Sequence, residues 1–244
     1  MTHGPAGISF DWSAAFAAGD YAGVLFDLDG VITPTAEIHE HAWGELFAAF
    51  DYTDEDYLAH IDGRPRYDGV RTFLASRGVT LPDGDPTDAP GDDTVCAMGN
   101  RKNALFTEIL ERDGIAGYPG SLATIDLLEG LGVPMAIVSS SRNAVPVLTA
   151  AGLLERFPHV VDGVVAADRG LAGKPAPDAY LLGAELLGIA AGASIVVEDA
   201  TSGVAAGAAA DAHLVIGVDR GGNRQALLDH GATFVVDDLA DLLP

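Results

Sequence analysis

The stretch YAGVLFDLDGVIT, residues 21–33, decides the architecture. Its first half is an apolar run of strand-forming residues without polar alternation, which reads as a strand buried on both faces of a parallel sheet. Its second half sets Asp27, Asp29 and Gly30 at the carboxyl end of that strand. Open α/β sheets bind their ligands outside the carboxyl ends of the strands. Period-two alternation puts positions 27 and 29 on one face, and Gly30 permits the sharp turn that follows.

Working outward, similar runs recur at 133–140, 159–165, 193–199, 212–218 and 232–238. Helical stretches separate most of them, at about 121–131, 143–153, 177–188, 201–210 and 223–230. Alternating β and α elements predict an α/β fold with a doubly wound, Rossmann-like parallel sheet. Residues 36–117 break the pattern. AEIHEHAWGELFAAF, DEDYLAHI, YDGVRTFLASRG and NRKNALFTEILERDG read as amphipathic helices. The segment LPDGDPTDAPGDD at 81–93 is a loop by its Pro, Gly and Asp content. The predicted organisation is therefore an α/β core formed by 1–34 and 118–244, with an inserted α-helical cap domain at 35–117. No internal repeat is visible.

The 244 residues suffice for a core plus a small insertion, and the 48% apolar content marks a globular chain. Thirteen basic against 36 acidic residues give a formal charge of −23. Such a surface repels nucleic acid and anionic membranes. A phosphate-handling site in so acidic a protein has to be built locally, from a few converging cations or a metal. The single cysteine, Cys96, permits no internal disulfide and has no motif around it. The stretch MTHGPAGISF lacks the basic and apolar regions of a signal peptide. No run of about 18 apolar residues occurs. The expectation is a cytoplasmic protein, monomeric, with no nucleic-acid or membrane partner.

Two carboxylates as close as Asp27 and Asp29 need a counter-charge, or one must take up a proton. Mg²⁺ supplies that charge, because it prefers one or two carboxylates together with phosphate oxygens. A pair of aspartates capping a strand end explains the same residues without chemistry. Three downstream features favour function. The run at 133–138 ends in Ser139-Ser140-Ser141, GKPAPD at 173–178 places Lys174 before a helix, and the run at 194–197 ends in Glu198-Asp199. An acid pair, a hydroxyl, a lysine and a second acid pair thus emerge on one sheet edge.

DLDG, the serines, GKPAPD and VVEDATSG together resemble the four-motif set of the haloacid dehalogenase superfamily, over nearly the whole chain beyond residue 20. The helical insertion is similar to the cap of its β-phosphoglucomutase group, through TAEIHEHAW at 35–43, GRPRYDGVRTFL at 63–74 and GNRKN at 99–103. The resemblance implies an enzyme with Mg²⁺ as cofactor and sugar phosphates as substrates. It makes Asp27 the nucleophile and Asp29 the general acid/base. It implies a metal held by Asp27, the Asp29 carbonyl and Asp199, with Glu198 in contact directly or through water. Ser139 and Lys174 then hold the transferring phosphate, and Arg66 and Lys102 of the cap face the active site, Arg66 on the distal phosphate. Thr35, Glu37, His39 and Trp43 follow the family's hinge and first cap helix, with His39 helping to place Asp29. Ser140, Arg142 and Asn143 follow Ser139; Arg142 and Asn143 are candidates for sugar or phosphate contact, although Asn143 fits a helix cap equally well. Pro34 stands where many relatives have Asp, which stiffens the hinge.

The chain has two lysines, Lys102 and Lys174, against eleven arginines. A lysine kept under that bias marks a place where the planar guanidinium does not serve. Six of the 13 basic residues lie between 63 and 102; Arg71 and Arg77 among them read as surface charges. A mutase interconverting β-glucose 1-phosphate and glucose 6-phosphate needs two phosphate sites, and the cap motif favours it. A phosphatase needs only the core motifs, which do not separate the two. A non-catalytic sugar-phosphate-binding protein is expected to have lost Asp27, Asp29 or the metal acids, and all are present.

Overall fold

A computed structural model describes residues 10–61 and 66–244. Most of the N-terminal stretch discussed above, and Gly63–Pro65 of the arginine motif, lie outside the described residues. The chain divides into two compact units, Met1–Pro34 with Ile115–Pro244, and Thr35–Gly114. The second crossing falls at 114/115 and not at the expected 117/118, because Gly114, at φ +68°, ends the preceding helix there.

Helix α1 (Trp12–Ala17), capped by the Asp11 carboxylate on Ala14 N, leads into β1 (Gly23–Phe26). The helical unit follows with α2 (Thr35–Leu46), α3 (Asp54–His60), α4 (Arg66–Ser76) and α5 (Val95–Asp113). Thr53 and Thr94 cap α3 and α5 by accepting backbone N–H groups. Trp43, Leu46, Phe47, Val70, Phe73, Leu74 and Met98 form its core, with the Phe47 and Phe73 rings 4.0 Å apart.

The sheet unit resumes with α6 (Pro119–Gly130), β2 (Met135–Val138), α7 (Ala144–Ala150), β3 (Val160–Val161), α8 (Gly163–Arg169) and α9 (Asp178–Leu187). Then come β4 (Ser194–Glu198), α10 (Thr201–Ala209), β5 (Leu214–Val218), α11 (Arg224–Asp229) and β6 (Phe234–Val236). All strands are parallel, in the order β3-β2-β1-β4-β5-β6. The winding reverses at β1, which pairs with β2 on one side and β4 on the other, Phe26 lying opposite both Ile137 and Val197. Every residue of β1, β2, β4 and β5 is buried, as continuous apolar runs require.

Two expectations need correction. The apolar run 159–165 is a strand only at Val160–Val161; Asp162 then accepts hydrogen bonds from Val164 N and Val165 N and caps α8. Helix α5 begins at Val95, several residues before the helix expected at 100, because Thr94 caps it. No helix among the described residues is long and apolar enough to cross a membrane.

Candidate active site

The site of the sheet unit grows from the switch point between β1 and β4. Asp27 N donates to Val197 O (2.9 Å), so the first residue past β1 stays in register with β4. The chain then closes a tight loop: Ile32 N and Thr33 N donate to Leu28 O, and Gly30 N donates to Thr33 O (2.9 Å). Gly30 sits at φ +79°, and a Cβ there would lie 1.8 Å from Asp199 Oδ2. The loop after β1 and the acid after β4 therefore meet where only glycine fits.

Asp27 is buried at 6% exposure, and Asp29 is half-buried. Ser139, directly after β2, donates from Oγ to Asp29 Oδ2 (3.2 Å) and accepts from Ser141 N (3.0 Å). Lys174 donates to Asp27 Oδ1, Glu198 Oε1 and the Val138 carbonyl, engaging all three ammonium protons. Glu198 is 1% exposed. Its Oε1 also accepts from Tyr180 Oη (3.1 Å) and its Oε2 from Ala200 N (2.9 Å), so protein donors occupy both oxygens. Ser140 and Arg142 are exposed. Asn143 is buried and makes no side-chain cap to α7.

Negative charge dominates this edge. Burial raises the Asp27 carboxyl well above the usual range; Lys174 opposes the rise, and Glu198, Asp29 and Asp199 add to it. Burial, then Glu198 and Asp29, push Asp199 up to about 8. Burial opposes the charge on Lys174, but Asp27 and Glu198 outweigh it and hold the ammonium well above its ordinary value. Four carboxylates face one lysine. This surplus is what a divalent cation relieves, so the residues fit one. Among the described residues no three His, Cys, Asp or Glu side chains form a metal cage on their own. A hard cation such as Mg²⁺ needs only one or two carboxylates, a carbonyl, water and phosphate making up the rest.

The helical unit gathers its own basic group. Thr35 is buried at the start of α2. Lys102 on α5 is 3% exposed, hydrogen-bonded to His39 Nδ1 on α2, with its ammonium over the Trp43 and Phe106 rings at 5.2 and 5.1 Å. His39 stacks on Phe106 at 4.4 Å. Burial, then Lys102 and Arg66, lower its pKa to about 3. The ring is therefore neutral at pH 7, and with Nδ1 accepting from an ammonium its proton sits on Nε2. Arg66 opens α4 and lies against α5: a Cβ at Gly99 would meet its Cδ at 3.4 Å and the Tyr67 ring at 2.5 Å. Arg71 and Arg77 pair with Asp68, Asp83 and Asp56 within the same unit, as surface charges do.

The structure adds three residues that the motifs did not single out. Tyr180 on α9 holds Glu198. Arg220 and Asn223, in the loop after β5, bond the Gly30 and Asp199 carbonyls. The available signal was their position: VDRGGN follows the apolar run 212–218 at the sheet's carboxyl edge and holds one of only eleven arginines.

Residues 21–211 match the family model of the haloacid dehalogenase-like hydrolases. The chain is 44% identical over 237 residues to a β-phosphoglucomutase of Mycobacterium bovis, with 90% of each chain covered. It is 35% identical over 193 residues to hexitol phosphatase A of Escherichia coli, covering 79% of this chain and 81% of that one. Among solved structures, a haloacid dehalogenase family hydrolase of Deinococcus radiodurans with bound phosphate and sodium superposes with a TM-score of 0.70. The two are 31% identical, over 91% of this chain and 93% of that one.

Proposed function

The chain belongs to the haloacid dehalogenase-like hydrolase family and is an enzyme of that type, and we propose that it is a Mg²⁺-dependent phosphotransferase that interconverts β-glucose 1-phosphate and glucose 6-phosphate through an aspartyl-phosphate at Asp27. The observation that carries the reading is the buried Asp27–Lys174 contact at the switch point, amid more acids than one lysine balances. The 44% identical β-phosphoglucomutase supports the choice of substrate.

In this reading Lys174 holds Asp27 Oδ1, and Oδ2 attacks the phosphorus. Asp29 gives its proton to the leaving oxygen and takes one back from the incoming hydroxyl. Ser139 Oγ, beside Asp29, turns to a phosphoryl oxygen. Once Asp27 is phosphorylated, Lys174 keeps Glu198 and directs the freed proton to the transferred group. Asp27, the Asp29 carbonyl and Asp199 would hold Mg²⁺, which would supply positive charge to offset the phosphoryl oxygens. Glu198, engaged at both oxygens, serves chiefly to hold Lys174. Arg66 and Lys102 take the second phosphate of the bisphosphate intermediate, Arg66 as a bidentate donor.

A phosphatase of the same fold is the second reading, favoured by the hexitol phosphatase relative. The test is a coupled glucose 6-phosphate assay run beside a phosphate-release assay, on β-glucose 1-phosphate with a bisphosphate primer. Primer-dependent glucose 6-phosphate formation, faster than phosphate release, is expected. Phosphate release without isomerisation establishes the phosphatase instead.

A further inference from the structure

The loop after β5 reaches both acid-bearing loops. Asp219 shapes it: its N–H donates to Val236 O (2.8 Å), and its carboxylate accepts from Asn223 N (2.9 Å) and Arg224 N (3.2 Å). From this frame Arg220 Nε donates to Gly30 O (2.9 Å). The same guanidinium is held by Asp238 Oδ2 (2.7 Å) and Asp237 O (3.3 Å), and it lies 3.8 Å above the Tyr118 ring. Asn223 Nδ2 donates to Asp199 O (3.2 Å). Gly30 is thereby pinned on both sides, its N–H by Thr33 O and its carbonyl by Arg220.

We propose that Arg220 and Asn223 are positioning residues for the divalent-metal pocket, setting the distance between the loop that carries Asp27 and Asp29 and the loop that carries Asp199. The inference rests on the metal reading given above. Nε has a single proton, so its bond to Gly30 is a fixed vector, and the guanidinium is anchored on three sides before it reaches that carbonyl. A carbonyl pinned at Asp199 fixes where that side chain starts. Outer groups of this kind orient metal ligands without touching the ion. Arg220 Nη2 and Asn223 Oδ1 are also buried without a hydrogen-bond partner among the described residues. A loop selected for stability alone is expected to satisfy such atoms.

The test is direct Mn²⁺ titration, read by the electron paramagnetic resonance of the free ion, on the full-length wild type, Arg220→Lys, Asn223→Ala and the double variant. Arg220→Lys keeps the charge and removes the Nε vector, so any change in affinity reports geometry. Asn223→Ala leaves the Asp219 turn intact, because that turn uses the backbone N–H of residue 223. Arg224→Gln is the control: among the described residues its guanidinium hydrogen-bonds to Val235 O and Asp237, neither of them in an acid-bearing loop. Each single variant is expected to weaken Mn²⁺ binding by about 10–100-fold. The double variant should fall short of the product, since both act on one pocket. Excess Mg²⁺ should restore kcat. The Arg224→Gln control should lower Tm and keep wild-type affinity. Unchanged Mn²⁺ affinity in Asn223→Ala and Arg220→Lys, with or without a lower Tm, overturns the inference and leaves the metal reading standing. A wild type that does not bind Mn²⁺ overturns both.

Discussion

Asp27 and Asp29 are two residues apart, and in the proposed mechanism their different surroundings suit them to different roles. Asp27 is buried against Lys174, which favours a fixed carboxylate presenting one oxygen. Asp29 is half-buried and touches the Ser139 hydroxyl, which suits a group that exchanges protons. Asp29→Asn should therefore retain Mn²⁺ binding, because its backbone carbonyl is the proposed ligand, and lower turnover by about 10²–10⁴-fold. Near-normal turnover in the coupled assay removes Asp29 from the proton path. His39 gives a pH prediction of defined sign. Its folded pKa of about 3 lies below the ordinary 6.5. As pH falls below 6.5 the unfolded chain takes up a proton that the folded ring refuses, so stability is lost down to about pH 3 and is unaffected above 6.5. Wild-type Tm should thus fall more steeply than that of His39→Gln between pH 6.5 and 4, and parallel curves contradict the assignment. The acids and Ser139 were legible because each sits in a contiguous motif at a strand end, and Lys174 because its motif leads into a helix. Tyr180, Arg220 and Asn223 were not, because an isolated side chain acquires a role only through contacts distant in sequence, such as the 190-residue span from Arg220 to Gly30.

Elements were legible to the extent that periodicity or continuous hydrophobicity defined them. Five of the six expected runs hold a strand of three or more residues, and helices occupy the stretches between them. The exception, 159–165, shows the limit: Val-Val pairs favour a strand, but the intervening Asp162 satisfies two N–H groups and converts the second pair to helix. Helix α1 was not foreseen, because six residues with only Trp12 buried carry no period to read. The approach of α4 to α5 was equally invisible, since it depends on the absence of a side chain. Gly99 lets the Tyr67 ring and Arg66 lie on α5, and Tyr67 Oη donates to Asn100 Oδ1 (2.9 Å). Gly99→Ala gives a better helix former but drives Cβ into the ring at 2.5 Å. The expected result is displaced Arg66, with isomerisation reduced and phosphate release from a small monophosphate retained. Equal rates in both assays would mean that α4 gives way without moving Arg66.

At the scale of the whole molecule, the proposed mutase reaction requires a chain of net charge −23 to hold both phosphates of a sugar bisphosphate. Its two units each supply a distinct means. The sheet unit concentrates acids, which suits a metal and a covalent carboxylate. The helical unit sets Lys102 over the Trp43 and Phe106 rings beside a neutral His39 that also feels the Arg66 charge, which suits a phosphate that is held and not transferred. In the proposed reading this division is what a mutase uses and a phosphatase does not. A mutase needs the second group in both half-reactions, because each half-reaction carries a distal phosphate once the bisphosphate forms. A phosphatase acting on a small monophosphate needs only the first. Removing Arg66 costs about 1.5–3 kcal/mol per charged hydrogen bond lost, so Arg66→Ala should slow isomerisation by roughly 10–100-fold, and by more if the contact is bidentate. Phosphate release from a small monophosphate should change little. The quantity to measure is the ratio of the two rates in wild type and variant, with Tm recorded to exclude unfolding of the helical unit. A selective fall in isomerisation supports two phosphate sites in one enzyme. An equal fall in both rates, or no fall in either, removes Arg66 from phosphate binding and makes hydrolysis the better account of the chemistry at Asp27.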